Sequence, residues 1–175
     1  MMITHICRSN GWEMDTFHLV DWKAHHQAVM NSHLSPTFLN KYLHNILPTG
    51  KVICKYQKYY NHCCPSCGEP FEDRFHLLTC QQTNRKKWSS NLLKAIRDFC
   101  SNTDVSREMT HFMVEGIYWE LQDSPLENIQ QYPEYLQPLI ESQNQIGWDQ
   151  LFKGRLSRLL GNIHLKHLKL SLIHI

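Results

Sequence analysis

Four residues of this chain have the types and spacing of a metal centre. Cys64-Pro65-Ser66-Cys67-Gly68 is followed by His76, with eight residues between it and the second cysteine, and then by Cys80 with three residues between, a C-x2-C-x8-H-x3-C pattern. A two-residue gap lets both thiolates of one tight turn reach a single ion at about 2.3 Å, and Gly68 permits the positive φ that such turns commonly need after the second ligand. A helical turn from about Glu72 would put His76 and Cys80 on one face, and its positive N-terminal end would suit the carboxylates of Glu72 and Asp73. Thiolate and imidazole donors point to Zn2+ as cofactor. Four protein ligands close its shell and leave no position for a reacting water, so the expected role is structural. Such an ion contributes about 10–16 kcal/mol to local folding, in a segment whose apolar anchors are few (Phe71, Phe75, Leu77 and Leu78). His62 and Cys63 adjoin Cys64 and could replace or support it as ligand. The plain alternative is a set of ordinary buried or free thiols, the reading that suits Cys7, Cys54 and Cys100 as small core residues.

Cations and aromatic rings flank this cluster. Lys51, Lys55 and Lys58 interleave with Tyr56, Tyr59 and Tyr60 before it, and Arg85, Lys86, Lys87 and Trp88 follow it. Cations that neutralise phosphates beside rings that stack on unpaired bases make a surface for single-stranded RNA or DNA. The competing reading is a solvated strand of exposed lysines and half-buried tyrosines, with Trp88 on the apolar stripe of a helix. The formal charge of +2 conceals segregation: residues 41–100 carry ten cations against four acids, and residues 101–150 one cation against nine acids. A polyanion would meet the centre of the chain and be repelled by the third quarter. Glu108, Glu115, Glu120, Asp123 and Glu127, beside Phe112, Met113, Ile117 and Trp119, could dock a protein partner through the C-terminal helices or fold back on the basic centre, and the apolar stripe itself reads as core packing. An enzyme needs more than these residues offer. Asp21, His25 and His26 have the spacing of a metal-assisted nuclease, but no general-base motif accompanies them, and a helix-surface pair is the simpler account.

The elements that position these groups read as helices. Ser35-Pro36 caps a helix carrying Phe38, Leu39, Tyr42, Leu43, Ile46 and Leu47 and stopped by Pro48-Thr49-Gly50. Trp88, Leu92, Leu93, Ile96, Phe99 and Cys100 predict a second over residues 84–100, and Val105, Met109, Phe112, Met113 and Ile117 a third, capped by Thr103 or Asp104. Residues 134–146 and 148–160 predict two more, hinged at Gly147, and residues 16–30 an earlier one. Only residues 51–60 resemble a strand, with Val52, Cys54, Tyr56 and Tyr60 at even spacing. The expected fold is mainly α: a helical module around a small CCHC zinc knuckle with little or no β-structure. Its parts are an N-terminal helical segment (1–50), the zinc-binding module with its following helix (51–100), a C-terminal helical region (101–161) and a tail (162–175).

Composition sets the outer bounds. With 175 residues, 42% hydrophobic, and only 7 Gly and 7 Pro, the chain falls outside the disordered and collagen-like classes. No stretch approaches the ~18 apolar residues of a membrane span, and the first ten residues do not read as a signal peptide. Seven cysteines, four of them crowded beside histidines, suit a reducing, intracellular compartment, nucleus or cytoplasm.

Together, Leu43-His44-Asn45-Ile46-Leu47-Pro48-Thr49 and the set Cys64, Cys67, His76 and Cys80 resemble the zinc-binding region that follows the polymerase in reverse transcriptases of non-LTR retrotransposons. That pattern has a helix ending in H-x-x-L-P, then C-P-x-C-G, then H-x-x-x-C, and the likeness covers about residues 20–100. The stretch from Ile146 to Arg155 also looks like a tail segment of reverse-transcriptase-like proteins of algae and other protists. The resemblance implies a module that holds RNA or DNA around a structural zinc and carries no catalysis itself. No Tyr-x-Asp-Asp polymerase motif occurs, so the chain looks like a C-terminal piece of such a protein. A zinc-stabilised protein-interaction module and a non-functional retroelement remnant are the alternatives.

Overall fold

Apolar residues spaced by three and four give this chain helices and almost no β-pairing. The computed structural model describes residues 2–103, 105–122 and 129–163. In chain order they form α1 (Met2–Asn10), α2 (Met14–Leu19), α3 (Trp22–Met30), α4 (Pro36–Leu43), α5 (Gly50–Ile53), α6 (His76–Thr79), α7 (Thr83–Asn102), α8 (Arg107–Leu121) and α9 (Gln137–Ile146), with 3-10 turns at Ile129–Gln131 and Trp148–Lys153. One antiparallel bridge, Val20 with Ser157, is the β-pairing among the described residues. The expected mainly α class is thus the observed one.

Helix α8 is the axis of the core because its apolar residues face two ways. Met109 and Phe112 pack with Tyr132, Leu136, Leu139, Ile140 and Trp148. Val114, Ile117 and Leu121 pack on Leu93 of α7, with Leu78 from α6 at the margin. Between these faces, Gly116 lies directly under the six-membered ring of Trp148.

The N-terminal helices are attached differently. Between the start of α1 and the end of α4 only Cys7 and Val20 are buried apolar residues among those described, and polar bonds to residues 146–158 hold this part in place. Trp12 Nε1 donates to the Ile146 carbonyl at 2.9 Å. The Asp21 N–H donates to Leu156 O at 2.8 Å, and the Arg158 N–H to Leu19 O at 2.9 Å. Arg155 is buried between these parts, donating from Nη1 to Gln150 Oε1 at 2.8 Å and from Nη2 to Leu43 O at 3.3 Å.

Several boundaries differ from the sequence expectations, each for a tertiary reason. Residues 16–30 form two helices, because Val20 is extended to pair with Ser157 and the Asp21 carboxylate caps α3, accepting the Ala24 N–H at 2.9 Å. Helix α4 ends at Leu43, with Asn45 at φ 60°, before Pro48 is reached. Residues 51–60 are not a strand: α5 and turns occupy them. Ser106, rather than Thr103, caps α8 by accepting the Met109 N–H at 3.2 Å, and Asp104 lies outside the described residues. Helix α9 starts at Gln137 instead of 134. After Gly147 only a 3-10 segment forms, ended by Gly154 at φ 72°, and helical turns resume at 159–163. Trp88 and Phe99 are exposed on α7, although the buried stripe does include Leu93 and Cys100. Of the tail, residues 164–175 lie outside the described residues, as do Asp123 and Glu127 of the acidic block.

Candidate metal centre

The tight turn of the first two cysteines is built by its own backbone. The Gly68 N–H donates to Cys64 O and the Cys64 N–H to Glu69 O, both at 2.8 Å, and Gly68 takes φ 77° as the turn requires. This folds successive N–H groups round the sulfurs: those of Cys67 and Ser66 donate to Cys64, and that of Glu69 donates to Cys67. Burial by itself would push the Cys64 thiol up, but these donors, with the His76 and Cys67 side chains, outweigh it and bring the thiol down to about 6. For Cys67 the Glu69 N–H pulls downward, while desolvation and the adjoining Cys64 and Cys80 sulfurs prevail and raise it to about 11. One thiolate therefore forms readily, and a bound cation would ionise the others.

The second pair comes from α6. The helix begins at His76, later than expected, because Asp73 acts as its cap: Asp73 Oδ1 accepts the N–H groups of Phe75 at 3.0 Å and His76 at 3.1 Å. Desolvation raises the Asp73 pKa, and the His76 N–H and Lys51 outweigh it and hold the carboxyl below its ordinary range. Cys80 follows as the residue after the helix, its N–H on His76 O at 2.9 Å. Glu72 lies ahead of this helix and ties the module to α5 instead. Its Oε2 accepts the Gly50 N–H at 2.9 Å. Its carbonyl accepts the Lys51 N–H at 2.9 Å and its N–H donates to His62 O at 2.8 Å. Gly50 has to be glycine here, since a Cβ would lie 2.6 Å from the His62 oxygen.

These supports bring Cys64, Cys67, His76 and Cys80 together, all four donor atoms lying within 4.8 Å of one another. Cys64 Sγ and Cys80 Sγ are 4.0 Å apart, and Cys67 Sγ and His76 Nε2 3.2 Å. A tetrahedron of such donors around one ion has edges of roughly 3.5–3.8 Å, so the arrangement fits a metal ion with little movement. Cys64 and Cys80 are buried and Cys67 is exposed.

Cys63 stands outside this group, its N–H on Asn61 Oδ1 at 3.0 Å. Cys63→Ser is therefore expected to keep the metal and to change stability by no more than about 0.5 kcal/mol, measured as metal content and urea midpoint. Loss of the ion in that variant would reassign the ligand. Cys7 and Cys100 are buried as expected, whereas Cys54 is only half-buried, with its sulfur 3.2 Å from Tyr60 O.

The flanking cations meet the centre from two sides. Lys51 pairs with Asp73 at 3.3 Å, and Lys86 shares a groove with Thr79 and Cys80. Lys55, Lys58, Arg85 and Lys87 are exposed. The rings of Tyr56 and Tyr59 are 84% and 102% exposed, so the half-buried strand anticipated for them is replaced by a projecting loop. Asp21 and His25 are engaged structurally: Asp21 caps α3, and His25 Nδ1 lies 3.0 Å from Lys153 O, where burial first and Arg155 next lower the imidazole pKa.

Sequence patterning did not reveal a second polar group of Asn45, Asp149, Gln150, Lys153 and Arg155, gathered beneath α4. Its one local signal is the Asp149/Lys153 pair, four residues apart in an otherwise apolar stretch. No family model, curated protein or solved structure matches the chain.

Proposed function

We propose that this chain is a nucleic-acid-binding module stabilised by a structural zinc ion, similar to the C-terminal zinc-binding region of non-LTR retrotransposon reverse transcriptases, and that it holds single-stranded RNA or DNA without catalysing a reaction. Zinc is the ion that a set of three thiolates and one imidazole prefers, and four protein ligands leave it no open position for chemistry.

The observation that carries the nucleic-acid reading is the loop of Tyr56 and Tyr59. Both rings stand in solvent, each next in sequence to an exposed lysine, Tyr56 after Lys55 and Tyr59 after Lys58, at the edge of the metal module. Rings left outside a core bury nothing for the fold, but each can stack on a base for about 1–3 kcal/mol, while neighbouring ammonium groups neutralise phosphates. Arg85, Lys86 and Lys87 extend the cationic surface along the start of α7.

Titration of the zinc-loaded protein with single-stranded RNA, single-stranded DNA and duplex DNA at two salt concentrations tests this. Single strands should bind more tightly than duplex, with affinity falling steeply as salt rises through counterion release. Changing Lys86 and Lys87 together to Glu is expected to weaken binding at least about tenfold and to flatten the logarithmic salt slope by about 1.4 for a single strand, with zinc retained. Absence of binding at low salt would sink the reading and turn attention to a protein partner docking through the C-terminal helices.

A further inference from the structure

Beside the metal module lies a cleft of about 260 Å3 between α4, α5 and the segment carrying Asp149 and Lys153. Four cations line it, Lys51, Lys55, Arg74 and Lys153, against two carboxylates, Asp73 and Asp149. We infer that this cleft is a phosphate-binding site and that its natural occupant is a backbone phosphate of the bound strand. The inference rests on the nucleic-acid reading above and adds to it a specific seat for the strand.

Lys153 is the group that asks for an anion. Its side chain is only 4% exposed, yet its contact with Asp149 is 3.8 Å, beyond hydrogen-bond reach. Its short partner among the described residues is neutral, Asn45 Oδ1 at 2.7 Å. Arg74 likewise approaches Asp149 only to 3.9 Å and rests its guanidinium over the Phe75 ring. Asp149 meanwhile accepts a closer bond from Gln150 Nε2 at 2.7 Å. Asp73 is committed to Lys51 and to the cap of α6. Two positive charges in the cleft thus share one carboxylate, Asp149, in long ion pairs of 3.8 and 3.9 Å, and the pair of cations outnumbers it.

Burial depresses the Lys153 ammonium to about 8, with Asp149 opposing and Arg74 and Arg155 reinforcing. Asp149 alone serves both Lys153 and Arg74, so a further anion in the cleft would lower the cost of burying these charges. The Tyr42 hydroxyl also lines the cleft and stays neutral, pushed up to about 12 by burial and Asp149, so it remains a donor. A phosphate offers several acceptor oxygens to such converging donors. The tie to a strand is Lys55: it lines the cleft while the next residue, Tyr56, projects its ring into solvent, so one nucleotide chain can place a phosphate in the cleft and a base on the ring.

The test uses the full zinc-loaded chain, with inorganic phosphate and a short oligouridylate as probes, in the wild type and in Lys153→Met. Phosphate should perturb the amide resonances near residues 45, 74 and 153 and compete with the oligonucleotide. Lys153→Met should bind the oligonucleotide about tenfold more weakly, the loss of one charge-assisted bond, and should not respond to phosphate. Arg74→Gln, at a partly exposed position, supplies the same comparison if Lys153→Met fails to fold. Phosphate binding that disappears in the variants while oligonucleotide affinity is unchanged would keep the site but overturn its place on the strand. An unresponsive cleft together with normal oligonucleotide binding by both variants would overturn this inference alone. Phosphate bound in the cleft of a protein that binds no oligonucleotide would sink the proposed function and leave the site standing.

Discussion

Cys67→Ser, or removal of the metal by a strong chelator, is expected to abolish amide protection across residues 62–80 while α8 and α9 remain protected. Between residues 51 and 82 only Cys64 and Cys80 are buried, so this module has almost no apolar interior of its own. Its order comes from the backbone bonds of the turn, the Asp73 cap and the Glu72 links to α5, each worth only about 1 kcal/mol net; a zinc ion held by the four ligands would add about 10–16 kcal/mol. The core around Phe112, Ile117 and Ile140 draws nothing from the module beyond the flank of Leu78. Hydrogen exchange with and without chelator, alongside metal analysis, reads the result directly. One equivalent of bound metal in Cys67→Ser would show that the ligand set is wrong, and protection surviving without metal would show that the backbone bonds suffice.

Gly116→Ala is expected to destabilise the protein by up to about 2 kcal/mol, opposite in sign to the same change in an unencumbered helix. In a helix interior alanine is favoured over glycine by about 1 kcal/mol. Here the new methyl would stand 2.0 Å from the Cη2 and Cζ3 atoms of Trp148. Trp148 has little room to yield: it is buried, its ring meets Phe112 edge-on at 5.1 Å, and its Nε1 donates to Asn144 Oδ1 at 2.8 Å. Overpacking of this kind costs typically 1–3 kcal/mol and sometimes more, which outweighs the propensity gain. Urea unfolding followed by tryptophan fluorescence measures the change, and a variant as stable as the parent would mean that the indole swings out at little cost.

The parts of this structure that sequence reading captured are those whose cause is local. The metal cluster is legible because two residues between thiols and three between His76 and Cys80 are short-range geometry. Ser35-Pro36 is a cap in sequence and in space, and α7 and α8 announce themselves by their 3.6-residue period. The errors arise where a distant partner decides. Val20 breaks a helix because Ser157 pairs with it from 137 positions away. The even spacing of Val52, Cys54 and Tyr56 mimics a strand, yet the Gly50 and Lys51 N–H groups find their acceptors on Glu72 and the chain coils there instead. Lys153 and Arg155 sit inside, sustained by Asn45, Gln150 and Leu43, and an apolar pattern carries no mark of a buried polar cluster.

The attachment of α1–α4 to residues 146–158 also fixes an order of events during synthesis. At about 5–20 residues per second, the Val20 region waits on the order of ten seconds after translation before Ser157 and Leu156 exist to receive it. The helices themselves are short, six to nine residues, and an isolated helix below about 12–15 residues is marginal in water. The nascent N-terminal quarter therefore spends that interval as a fluctuating coil, while α7 and α8, which pack on each other and are close in sequence, can already pair. Its docking is thus a late, high-contact-order step.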